Sequence, residues 1–152
     1  MILHEEPAEY DSWIRLLFLI PVGLVIGAIF LVYRQEYAGF LVLISDGVFF
    51  VLLLYFIMPR KYQIYQDKLR IVLGKPFGIN IPLSTIKEVK RASGAKAFVY
   101  TGVKRVKFAT SSRNILEIVR NKGLNYIISP KNGDMFIERL GEAIESNARN
   151  RY

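Results

Sequence analysis

The chain has no cysteine, one histidine and one tryptophan among its 152 residues. Without cysteine there is neither a disulfide framework nor a thiolate site, which suits a cytoplasmic domain and excludes redox chemistry on protein thiols. His4 lies in the N-terminal stretch beside Glu5 and Glu6. One histidine and no cysteine leave too few of the usual ligands for a transition-metal site, and no cofactor is expected. Phosphate-loop chemistry is also missing: "GKPFG" has neither the glycine spacing nor the terminal Lys-Ser/Thr pair of a nucleotide cradle. Ser93 and Lys96 have the Ser-x-x-Lys spacing of some acyl-transferring enzymes, but that motif needs a helix, and "SGAK" reads as a loop. No repeat or low-complexity segment is present, and no catalytic residue is nominated.

Charge is absent where it matters most. Leu16 to Tyr33 carries none, and Tyr37 to Met58 carries only Asp46. A helix needs about 20 apolar residues to cross a bilayer, so two transmembrane spans are expected at about 14–33 and 37–58. Trp13, Tyr33, Tyr37 and Tyr55 fall where interfacial aromatic belts would lie. The N-terminus "MILHEEPAEYDSW" has no basic region and no small-residue cleavage site, so the first span reads as retained. Only "RQE" separates the spans, which makes a tight antiparallel hairpin. Arg60, Lys61, Lys68, Arg70 and Lys75 follow the second span, and Arg15 stands at the start of the first, against Arg34 alone in the turn. The positive-inside bias then places the protein in a cytoplasmic (inner) membrane with both termini cytoplasmic. Three parts are expected: an acidic tail at 1–13, the helical hairpin at 14–58, and a cytoplasmic domain at 59–152.

Beyond Pro59 the pattern changes to short alternating runs. "KYQIYQDKLRIVLGK" reads as a hairpin turning at Gln66-Asp67, and "KPFGINIPL", "TIKEVKRA", "AFVYT", "VKRVKFAT", "NILEIVR" and "LNYIIS" supply further candidate strands. Phe136, Ile137, Leu140, Ala143 and Ile144 then fall at helical spacing, with Asn132 as N-cap and Asp134 in the first turn. The expected fold is two transmembrane α-helices followed by an α+β domain. That domain has about seven short antiparallel strands in a bent sheet or partly open barrel, capped by one C-terminal helix.

The order of these elements, with "YQIYQDKLRIVLG", "INIPLSTIKEVK" and "YIISPKNGDMFIERL", resembles the bacterial pleckstrin-homology-like (PH-like) domains that follow a transmembrane hairpin. Ile81, Pro82, Leu83, Ile86 and Val89 match its Ile-Pro-Leu turn into Ile-x-x-Val. Ile128, Ser129, Pro130, Lys131, Phe136 and Leu140 match its final strand running into the helix. The resemblance covers roughly Tyr62 to Ile144 and implies a binding or scaffolding module. Members that hold phosphoinositides use several Lys and Arg around a long loop between the first two strands. Here that loop is "YQD", with Asp67 supplying negative charge.

Acids are scarce after Pro59: of 21 Lys and Arg all but Arg15 and Arg34 lie there, against seven acids, for a formal charge of +12. Arg60, Lys61, Lys68, Arg70, Lys104, Arg105 and Lys107 are candidate contacts to an anionic lipid surface, each contributing on the order of 1 kcal/mol near headgroups. Nucleic acid ranks last among partners, because the aromatics fall on core faces rather than where bases could stack. Asp46 is the other candidate. In a hairpin turning near Gln35 it lies at the depth of Gly23 and Leu24, beside a small-residue set of Ser45, Gly23 and Gly27. Two readings compete for it: an internal bond to a carbonyl freed near Pro21, or a contact with another subunit. The function expected is a non-enzymatic, membrane-anchored module that meets a membrane-protein partner, a like subunit or anionic lipid. The alternative is an accessory or pore subunit of a transporter or channel using the hairpin and Asp46.

Overall fold

The structure is a computed structural model, and it describes residues 2–92 and 105–149. The chain forms two compact units: residues 10–57, and a second unit built from residues 1–9 together with 58–152. The candidate strand at 97–101, Ser93, Lys96 and Lys104 lie outside the described residues.

The first unit is helical. Helices α1 (Ser12–Leu17) and α2 (Leu19–Tyr33) are separated at Phe18, and α3 (Tyr37–Ile57) follows. Pro21 explains the break: it lacks an N–H, and its ring crowds the carbonyl four residues earlier, that of Leu17. Ser12 to Tyr33 and Tyr37 to Ile57 are each long and apolar enough to cross a membrane. The turn between them is tight because α2 ends in a Schellman-type cap. Glu36 N donates to Leu31 O and Gln35 N to Val32 O, both at 2.9 Å. Gln35 itself takes φ +62°, a left-handed position where glycine is the usual residue.

Among the described residues the second unit has eight strands in two four-stranded sheets and one long helix, α4 (Gly133–Arg149). The first sheet runs β1 (Ile2–Pro7), β2 (Lys61–Tyr65), β3 (Lys68–Val72), β4 (Gly78–Pro82), each antiparallel to its neighbour. Residues 2–7 therefore form a strand rather than part of an acidic tail, paired to a segment that follows them by more than fifty positions. The second sheet has the order β5 (Ile86–Arg91), β7 (Leu116–Arg120), β8 (Asn125–Ile128), β6 (Arg105–Phe108). Its β6–β8 pairing is parallel, which departs from the all-antiparallel expectation. The β7–β8 hairpin, turning at Gly123 with φ +92°, places β8 between β6 and β7. Strand β8 runs opposite to β7 and the same way as β6.

The loop from β6 to β7 crosses the end of β8, and Ser129 satisfies it: its buried Oγ accepts from Thr110 N at 2.9 Å and Ser111 N at 3.2 Å. The two sheets are joined through the continuation of β1. Ala8 bridges Pro130, Glu9 N donates to Ser129 O, and Lys131 N donates to Pro7 O.

Period-two alternation sends Tyr62, Ile64, Leu69, Ile71 and Ile81 inward, all fully buried, against Leu116, Ile118 and Ile128 of the second sheet. From α4, Phe136, Leu140 and Ala143 complete this core. Tyr62 holds three elements at once. Its ring meets Phe136 edge-on at 6.0 Å, and its hydroxyl donates to Phe108 O (3.0 Å) and accepts from Ser129 N (3.2 Å). Asn132 caps the helix as expected, its Oδ1 accepting from Met135 N at 3.2 Å.

Candidate functional site

In the helical unit, α2 and α3 pack through glycines. A Cβ built on Gly27 would lie 3.3 Å from Leu43, one on Gly39 2.8 Å from Leu31, and one on Gly47 3.7 Å from Leu24. These pairs are the same-depth partners that a turn near Gln35 dictates, and they let the backbones approach closely. Gly23, by contrast, has nothing within 4 Å of such a Cβ. Asp46 and Ser45 are exposed. The Asp46 carboxylate is in no hydrogen bond or ion pair among the described residues, so the internal bond near Pro21 is not formed.

Successive helix residues turn by about 100°. From the packed positions Leu24 and Gly47, Val25 and Val48 turn one way and join an apolar groove with Pro21, Ile44, Val51 and Leu52. Gly23 and Asp46 turn the other way. In an antiparallel pair these two turns meet on one flank, so Asp46 and the open Gly23 share the flank opposite the groove. Of the four candidates, Gly27 belongs to the packed seam, Gly23 and Asp46 to one outer flank, and Ser45 lies one further position around α3.

In the second unit the candidate cations do not form one continuous face. Arg60, Lys61, Lys68 and Arg70 belong to the first sheet or its edge, whereas Arg105 and Lys107 are on β6 of the second. Several are engaged. Lys61 Nζ pairs with Glu5 Oε1 at 2.9 Å, and Arg105 Nε with Glu117 Oε1 at 2.9 Å. Lys68 Nζ sits 5.5 Å from the Tyr65 ring centre, whereas Arg70 Nε is buried beside Gly78 without a hydrogen-bond partner. Glu5, Gln63, Arg70 and Asn80 align as one polar row across the outer face of the first sheet. The hydrogen bond from Gln63 Nε2 (2.6 Å) and that from Lys61 hold the Glu5 carboxyl below the usual carboxylate range. With Glu5, Glu6 and Glu9 in this unit, its formal charge falls from +12 to +9.

The β2–β3 turn, where a phosphoinositide loop would stand, is tied down. Asn147 Nδ2 of α4 donates to Gln66 O at 2.8 Å, and Leu83 N to Asp67 O at 2.9 Å. Among the described residues no three His, Asp or Glu side chains gather to hold a metal. His4 Nε2 lies 3.3 Å from Glu6 Oε2, and Glu6 Oε1 accepts from Asn132 N at 2.9 Å, so the acidic stretch supports the start of α4. Sequence reasoning missed this role of His4 and Glu6, because "HEEPA" has no β-branched or aromatic run to mark a strand.

A family model for the bacterial PH domain aligns with residues 60–143, more than half of the chain. The matched span starts at Arg60, so β1 lies outside it. No curated protein and no solved structure matches. Domains of this kind are generally non-enzymatic binding modules, and no catalytic family is indicated. The matched span carries the β2–β3 hairpin, the Ile-Pro-Leu turn, the buried Ser129 and the Phe136 and Leu140 anchors in sequence order, and the chain belongs to the bacterial PH domain family.

Proposed function

We propose that this protein is a membrane-anchored, non-enzymatic module that presents its PH-like domain at the cytoplasmic face of an inner membrane and there engages a second membrane protein. The observation that carries this reading is the pairing of β1 with β2. It brings both ends of an apolar helical pair back to one folded domain, which is what a two-span anchor with both termini on one side requires. The distribution of basic residues around the helices supports the cytoplasmic side for that domain. Asp46 supplies the assembly contact in this reading. A carboxylate without an internal partner on the outer flank of an apolar helix is costly in hydrocarbon and is relieved by a donor on a neighbouring helix. Anionic lipid is a further partner for cations without an acid beside them.

The test is recovery of the full-length protein from native membranes in mild detergent, beside Asp46→Leu, with bound proteins identified by mass spectrometry. A stoichiometric partner, lost in the variant, is the expected result. Recovery of the bare protein in both samples would sink the assembly role. In the second reading, an accessory subunit of a transporter or channel, the same exposed carboxylate borders a polar path, and Asp46→Leu abolishes transport while partner recovery persists.

A further inference from the structure

The register of the first sheet fixes which end of the domain is joined to the helices. Pro7, Lys61, Val72 and Gly78 lie side by side across the four strands, and the chain leaves for the helices just after Pro7 and returns just before Lys61. The turn between β3 and β4 is at this same end, closed by Phe77 N donating to Gly74 O at 2.7 Å. It presents Lys75 in the open and Phe77 with 53% of its surface exposed.

Two further loops come to this end. Pro130 bridges Ala8, which puts exposed Lys131 here. Asn114 Nδ2 reaches both Lys131 O (3.0 Å) and Glu9 Oε2 (3.4 Å), which brings exposed Arg113 with it. Lys75, Arg113 and Lys131 are in no ion pair among the described residues; of the carboxylates nearby, Glu9 faces Asn114, buried Glu6 accepts from Asn132 N, and Asp134 pairs with Arg91. The β2–β3 turn at Gln66 and Asp67 is at the far end of the sheet, about 17 Å away for five strand residues.

We propose that this end of the domain rests on the headgroup layer of the bilayer that its own helices span, with Phe77 in the interface and Lys75, Arg113 and Lys131 against lipid phosphates. The proposal rests on the membrane anchoring set out above. An aromatic ring flanked by cations is the side-chain chemistry of a membrane–water interface. A tether at both Pro7 and Arg60 keeps this end, and not the β2–β3 turn, within reach of the surface. The edge used for phosphoinositides elsewhere among PH domains then faces the cytosol.

The full chain, with Trp13→Phe, is reconstituted into vesicles of phosphatidylcholine and phosphatidylglycerol with brominated acyl chains, and single tryptophans are read by fluorescence. Phe49→Trp reports the α3 helix, Phe77→Trp the proposed contact, and Leu124→Trp an exposed site at the far end of the second sheet. Emission that is blue-shifted and quenched at positions 49 and 77 but not at 124 is the expected result. The combined variant Lys75→Glu, Arg113→Glu, Lys131→Glu then loses the quenching at 77 and keeps it at 49. Quenching at 49 with none at 77, or equal quenching at 77 and 124, overturns the contact while leaving the anchor in place. No quenching at 49 overturns the anchor and the contact together.

Discussion

At the scale of single residues, the most consequential side chain is Tyr62, which the alternation of "KYQIY" already turns inward. Its hydroxyl serves Phe108 O and Ser129 N, two backbone groups of the opposite sheet. Tyr62→Phe keeps the ring and its contact with Phe136 but leaves the buried Ser129 N and the part-buried Phe108 O without this partner. A cost of about 1–3 kcal/mol is expected, measured as a lower urea midpoint at unchanged slope. Glu5 gives a pH signature. Its folded carboxyl lies below the ordinary range because Gln63 and Lys61 bond the charged form. The stabilisation is therefore present at neutral pH and is lost as pH falls from about 4 through the lowered folded value. Thermal melts between pH 6 and 3 check the sign: the native chain loses stability on acidification more steeply than Glu5→Gln.

Some residue roles were legible in the order of residue types alone. Asn132 before "GDMF" is an N-cap pattern, and Phe136 with Leu140 is a helical core stripe. Others depend on neighbours that no local pattern reveals. Nothing in "HEEP" announces that Glu6 accepts from the N–H of Asn132, because that donor is brought in by sheet pairing across the whole helical insertion. Asp46 is intermediate. Its depth followed from the turn position, but its flank depended on which glycines form the seam.

At the scale of elements, strand β1 decides how the domain holds together. It covers one edge of the first sheet and ties that sheet to the second through the Ala8–Pro130 bridge. A fragment of residues 59–152 is therefore expected to fold poorly. The same fragment preceded by residues 1–9 and a short flexible linker should regain a cooperative thermal transition, because Ala8 N already donates to Arg60 O at 3.0 Å. Equal melting of the two fragments would remove β1 from the fold. In the helical unit, a Cβ on Gly39 would lie 2.8 Å from the tip of the Leu31 side chain, which must move aside even for alanine. Gly39→Leu should splay α2 from α3, read as faster proteolysis near the turn in detergent, whereas Val42→Leu on the open surface should not. Hairpins were easy to find because their two strands are adjacent in sequence. Strand β1 and the parallel β6–β8 pair were not, since alternation marks a strand without naming its partner.

At the scale of the whole molecule, the chain is a domain interrupted after its first strand by a helical pair. The absence of cysteine makes the disposition of the proposed anchor directly measurable. Gln35→Cys in the turn should react with an impermeant maleimide added to intact cells, and Lys122→Cys in the β7–β8 turn should react only after lysis. Reaction of both in intact cells would reverse the orientation argued from the basic residues. Composition alone located the two apolar segments and the change at Pro59. It could not show that the folded unit begins before the first helix, since three carboxylates and a histidine look like a solvated tail until their partners are in place.

The β1–β2 pairing also bears on how the protein is made. Strand β1 leaves the ribosome about fifty residues before the strand that it pairs with, and both helices are synthesised in between. If the two helices form the proposed anchor, insertion of one without the other would leave β1 and β2 on opposite sides of the bilayer, and the sheet could not form. In the proposed anchor, completion of the domain would thus act as a check on half-insertion: a chain with one span across and the other behind cannot pair β1 with β2 and stays open to proteolysis.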